Sequence, residues 1–108
     1  MLISLLHPSR GRAHQSIQNA MEWVANAGID VQLIVSIDES DTQKSLYEEF
    51  YQDYMGFRSL DKFLISPNTC VVEATNVAAK AADGDILLYL SDDFKCFPNW
   101  GVAIEQEF

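Results

Sequence analysis

A chain of 108 residues, 48% hydrophobic and 21% charged, can form one domain with a real core but is small for a complete α/β enzyme. Its net charge of -9 argues against nucleic acids or membrane surfaces as partners, because both call for basic patches. No apolar run approaches the roughly eighteen residues of a membrane span, and the N-terminus carries no basic, apolar and small-residue pattern of a secretory signal, so a cytoplasmic chain is expected.

Leu2–Leu6 is a compact apolar run and reads as the first strand. His7-Pro8-Ser9-Arg10-Gly11-Arg12 breaks it with a proline, a glycine and two arginines. From Ala13 to Ala27 the apolar residues Ile17, Ala20, Met21, Val24 and Ala27 recur at intervals of three and four, which predicts an amphipathic helix stopped by Gly28. Val31–Ile37, rich in β-branched residues, is the second strand and ends in Asp38-Glu39-Ser40-Asp41. Leu46, Tyr47, Phe50, Tyr51 and Tyr54 follow helical spacing up to Gly56; these aromatics suit core packing or an interface. Phe63–Ser66 is a short third strand closed by Pro67-Asn68. Val71–Ala82 is an alanine-rich helix, and Asp83-Gly84 turns the chain into a fourth apolar run, Asp85–Leu90. A run so poor in polar residues suits a strand buried on both faces. Val102, Ala103 and Ile104 begin a last helix. The order β-α-β-α-β-α-β predicts a mainly parallel sheet of about four strands in a helix-sheet-helix sandwich, Rossmann-like in class.

In such sheets ligands bind outside the carboxyl ends of the strands, and three segments there carry candidate chemistry. Asp92 and Asp93 follow the fourth strand and offer hard oxygen ligands suited to Mg²⁺ or Mn²⁺. Adjacent carboxylates after an extended segment point in different directions, so one can hold a metal while the other accepts hydrogen bonds. Asp38, acceptor-only when ionised, suits a nucleobase N–H or a ribose hydroxyl. Ser9, Arg10 and Arg12 lie before a helix start, where a guanidinium fork and helix N–H groups both favour phosphate. His7 and His14 could pair on a metal only if they shared a face. Cys70 and Cys96 form no C-x-x-C and are expected to be reduced, buried thiols. No G-x-G-x-x-G, G-x-x-x-x-G-K-[ST] or G-x-S-x-G is present.

Three of these stretches resemble the N-terminal, nucleotide-binding half of GT-A-fold glycosyltransferases, particularly the inverting family 2. Pro8-Ser9-Arg10-Gly11-Arg12 is similar to that family's Pro-Thr/Ser-x-x-Arg segment. Ile34 to Asp41 resembles its second-strand motif, an apolar run followed by Asp-Asp/Glu-Gly-Ser. Asn68, Ala74-Thr75-Asn76, Ala81-Ala82-Asp83-Gly84-Asp85 and Leu90-Ser91-Asp92-Asp93 follow its Asn…Ala-Arg-Asn…Ala-x-Gly-Asp…Leu-x-Asp-Asp course. The resemblance implies a nucleotide sugar, UDP- or GDP-linked, bound through Mn²⁺ or Mg²⁺ for transfer to a glycan or other acceptor. On it, Asp93 is the chief metal ligand, and Asp92 lies beside the ribose or sugar. Asp38 bonds the base, Pro8, Ser9 and Arg10 line the nucleoside pocket, Arg12 neutralises phosphate, and Asn68 sits near the base or ribose.

The sequence departs from that pattern at Ser91, where many members carry a first aspartate, so metal binding rests on Asp93. Thr75 replaces an arginine, and Ser40-Asp41 replaces Gly-Ser. Such transferases need about twice this length, so the chain is expected to be incomplete at its C-terminus, with the catalytic base beyond Phe108. The rival expectation is a non-catalytic α/β module used for binding or assembly. In that case the fourth strand lies at an uncovered edge through which copies associate.

Overall fold

The computed structural model describes residues 1–56 and 58–108. The elements are β1 (Ile3–Pro8), α1 (Ala13–Ala25), β2 (Val31–Asp38), α2 (Lys44–Met55), β3 (Lys62–Ser66), α3 (Val71–Ala81), β4 (Ile86–Tyr89) and α4 (Trp100–Glu107). The four strands form one sheet in the order β3-β2-β1-β4, with every neighbouring pair parallel. The Rossmann-like α/β class expected from the element order is the class observed.

Alternation along the strands separates two faces. Ile3 and Leu5 of β1, four alternate residues of β2, and Ile86 and Leu88 of β4 pack against α1, α2 and α4 in the main core. Tyr47 and Tyr51 are fully buried there, so these two aromatics of α2 belong to the core rather than to an interface. Trp100 of α4 packs edge-on against Trp23 of α1, with ring centroids 5.0 Å apart, and its indole N–H donates to the Trp23 carbonyl at 2.7 Å. The other face carries α3 alone, with Ala78 against Leu6 and Ile34. Alanines let that helix approach the sheet closely.

β1 runs two residues further than expected, through His7 and Pro8. Ser9 N–H donates to the Ser36 carbonyl of β2, so by strand alternation the Pro8 nitrogen faces β4. The β4 ladder ends at Tyr89, opposite Leu6, and the missing N–H costs no ladder bond.

The expectation that the fourth strand is buried on both faces is corrected. β4 is an edge strand, and α3 covers β1 and β2 but leaves the outer side chains of β4 open: Leu87 is 47% exposed and Tyr89 40%. An all-apolar run looks the same in sequence whether one face or both are covered. The thiols also differ from expectation: both are free, but Cys70 is exposed and Cys96 half-buried.

The turn into β4 needs its glycine. A Cβ on Gly84 would lie 2.8 Å from Ser4 N and 2.9 Å from Leu2 O. The turn is held by Gly84 N–H donating to Ser4 Oγ, and by Gln32 Oε1 accepting from both Ser4 Oγ and Asp83 N–H.

Candidate functional site

β1 lies between β2 and β4, and the helices that follow β1 and β3, α1 and α3, pack on opposite faces of the sheet, so a crevice opens at the carboxyl ends of the strands. This is the ligand position of open parallel sheets. A cavity of about 340 Å³ lies there, walled by Pro8 at the end of β1, Ser9, Arg10 and Arg12 from the β1–α1 loop, Asn68 before α3, and Asp92 after β4. These six candidates, dispersed over more than eighty positions of sequence, share one cavity. Cys70, Val71 and Ala74 at the start of α3, and Tyr89 and Ser91 of the β4 end, complete its walls.

Asp92 is turned inward. Ser9 Oγ donates to its carboxylate at 3.0 and 3.1 Å. Ser9 Oγ in turn lies 2.6 Å from the Tyr47 hydroxyl, which accepts the Arg12 backbone N–H at 3.0 Å. With Arg12 N–H as the first donor, the row runs one way: Arg12 N–H to Tyr47 Oη, Tyr47 O–H to Ser9 Oγ, Ser9 O–H to Asp92. Burial raises the Asp92 carboxyl above its ordinary value, opposed by His7 and the Ser9 bond.

Beneath it, His7 is fully buried on the α1 side of β1. Its Nδ1 donates to the Leu90 carbonyl at 2.8 Å, and its Nε2 accepts from Ser16 Oγ at 2.8 Å, which the Tyr51 hydroxyl approaches at 2.8 Å. The Leu90 carbonyl places a proton on Nδ1, and burial lowers the His7 value, which favours the neutral ring with Nε2 as acceptor. Asp92 Oδ1 stands 3.3 Å from Nε2. His14 is exposed on α1, so the two histidines do not share a face.

Asp38 does not wall the cavity. One carboxylate oxygen accepts the Asn68 backbone N–H at 2.8 Å, and the other accepts Ser40 N–H at 3.1 Å and the Ser40 hydroxyl. The Asn68 bond, followed by that of Ser40, holds its carboxyl below the ordinary range. Asp38 thus ties the end of β2 to the segment leading into α3. Arg10 spans the same junction, donating to the Thr69 carbonyl at 3.2 Å, with its guanidinium 3.9 Å from Asp38. Asp41 fixes the other loop: its oxygens accept Gly11 N–H and Gln43 N–H, each at 2.8 Å. Gly11 is left-handed at φ 64°, which glycine tolerates.

Asp93 does not line that cavity, although both carboxylates border a second one. It is exposed and accepts from Gln15 Nε2 at 2.6 Å and from Arg12 Nη1 at 3.3 Å. That second cavity is polar, of about 280 Å³, and lies along α1 with Gln15, Gln18, Asn19 and Glu22. Among the described residues no three His, Cys, Asp or Glu side chains converge as a closed metal cage. An open position with one exposed carboxylate is the kind a magnesium-type ion uses when phosphates and waters supply its other oxygens. Thr75 bonds back to the Val71 carbonyl at 2.6 Å.

The loop carrying both carboxylates lies along α1: Asn19 Nδ2 donates to Ser91 O, Trp23 Nε1 to Phe94 O, and Cys96 Sγ to Glu22 O. Sequence reasoning missed Tyr47, Ser16 and Tyr89 as site residues. The first two are ordinary helix positions until the tertiary fold brings their hydroxyls under the loops. Tyr89 did carry a signal, an aromatic two residues before Ser91. No described helix is long and apolar enough to cross a membrane. No protein-family model matches the chain, and no curated protein matches it.

Proposed function

We propose that this chain is a glycosyltransferase-like domain that binds a nucleotide-diphosphate sugar, UDP- or GDP-linked, together with Mn²⁺ or Mg²⁺, for glycosyl transfer to an acceptor. The observation that carries the reading is the shared cavity of Pro8, Ser9, Arg10, Arg12, Asn68 and Asp92 at the carboxyl ends of the strands. Arg10 and Arg12 supply guanidinium donors for phosphate. The first turn of α3 lacks a side-chain cap but carries Glu73, so the two arginines rather than the helix start are the main anion donors of the cavity. Asp92, fixed by Ser9, presents acceptor oxygens to ribose or sugar hydroxyls.

Asp93 is the residue that would hold the metal, with Asp92 beside it. Its contacts to Arg12 and Gln15 are exposed and exchangeable. Charge on the leaving diphosphate is neutralised when the ion is bound. The reading covers donor binding and assigns no base for the acceptor hydroxyl. Its support from Asp38 is indirect, through the Asn68 segment that Asp38 orders.

Calorimetric titration with UDP, GDP and their sugars, with and without Mn²⁺, tests it. Metal-dependent binding that disappears in Asp93→Ala is expected. No binding at millimolar ligand removes the reading.

A second reading is a non-catalytic α/β module that associates with copies of itself, favoured by the uncovered edge strand β4 with Leu87 exposed.

A further inference from the structure

Tyr89 is the last residue of β4 and points to the sheet face that α3 covers over β1, β2 and β3 but leaves open at β4. Its core-facing neighbours Ile86 and Leu88 are packed, whereas Tyr89 itself is 40% exposed and forms part of the cavity wall. Phe94, from the loop beyond Asp93, meets that ring edge-on, with centroids 5.8 Å apart and planes at 82°. Such a T-shaped neighbour steadies the ring and leaves a face uncovered. Val71 and Ala74 of α3 give the cavity an apolar lining, while Arg10 and Arg12 give it cationic groups. One cavity therefore offers an aromatic surface with apolar surroundings and a pair of guanidinium groups. A ligand that answers both has a flat ring and a polyanionic group.

We infer that Tyr89 is the stacking platform for the nucleobase of the ligand, with Phe94 holding the platform in position. The inference rests on the nucleotide reading of this cavity and adds a residue that sets ring recognition apart from phosphate recognition. Stacking is indifferent to the ring's hydrogen-bonding edge, so uracil and guanine are both accepted at Tyr89, and discrimination between them must come from elsewhere in the cavity. A nonpolar residue of similar bulk keeps the strand but not the stack; phenylalanine keeps both.

The test titrates the full chain and its Tyr89→Phe and Tyr89→Leu variants with UDP, GDP and inorganic pyrophosphate in the presence of Mn²⁺. Tyr89→Phe is expected to bind UDP and GDP like the parent. Tyr89→Leu is expected to lose about 5- to 150-fold in affinity for both, the range that removal of one stacking ring gives, with unchanged affinity for pyrophosphate. Unchanged nucleotide affinity in Tyr89→Leu overturns the role of Tyr89 and leaves the nucleotide reading standing. Equal loss for pyrophosphate also overturns it, since the residue would then be supporting the whole cavity. The parent protein supplies a check that needs no variant: pyrophosphate binding as tightly as UDP means that the ring contributes nothing, and the platform is rejected. If the parent binds none of the three, the nucleotide reading itself falls and takes the platform with it.

Discussion

At the scale of single residues, the carboxylates after the strands divide into two kinds of work. Asp38 and Asp41 organise loops through backbone N–H groups, whereas Asp92 and Asp93 face cavities. Asp38 makes the pH consequence explicit. Its folded value lies below the ordinary 3.8, chiefly because of the Asn68 N–H. The stability it contributes is fully present above that ordinary value and is lost as pH falls through the lower folded value. Urea unfolding followed from neutral pH to below 3.8 is expected to show the parent losing stability in that acid range, while Asp38→Asn starts lower at neutral pH and shows a shallower acid slope. Equal slopes would refute the assignment. The candidates were legible as a class, arginines before a helix and acids after strands, but such residues also serve as loop ties and surface ion pairs, and Asp38 is a loop tie outside the cavity. The hydroxyls of Tyr47, Tyr51 and Ser16 were not legible, since what a helical hydroxyl meets is decided by which loop is folded above it.

At the scale of elements, α4 depends on one large side chain. Trp100 is almost fully buried, stacks edge-on to Trp23 and bonds its carbonyl. Trp100→Ala is expected to cost roughly 3–5 kcal/mol, the range for removing a buried large aromatic ring. Denaturant unfolding measures it, and a loss under about 1 kcal/mol, ordinary for a surface substitution, would mean that α4 is not part of the cooperative core. Element type was readable nearly throughout, because periods of two and of three to four separate strands from helices. What the apolar run of β4 hid was its open outer face, although the assembly alternative puts this strand at an uncovered edge. Its apolar run announces a strand, but whether α3 extends over it depends on the strand order, a property of the whole sheet. The two extra residues of β1 escaped for a similar reason, since a proline is tolerated there only because the β4 ladder has already ended.

At the scale of the molecule, the sheet is covered unequally, with three helices on one face and one on the other. The uncovered strip on β4 gives the assembly reading its test. On that reading sedimentation equilibrium returns a mass above 12.2 kDa. The excess grows with salt, because a charge of -9 on each copy opposes association until it is screened, and Leu87→Lys restores the single-chain mass. A mass of 12.2 kDa at every salt and protein concentration eliminates the assembly reading. The segment from Ser91 to Asn99 has a further consequence. At one end Leu90 N–H is bonded to Leu6 O and its carbonyl to His7. At the other, Asn99, left-handed at φ 60°, donates its N–H to Asn26 O, and Gly101 N–H follows to Ala27 O. Between these anchorages, α1 holds it at Ser91, Phe94 and Cys96. The segment is a bridge deck with two abutments and a row of hangers, and the hangers all descend from one helix. An occupant that displaces Asp92 or Asp93 therefore acts on two supports at once, the β1–α1 loop through Ser9 and the start of α1 through Arg12 and Gln15.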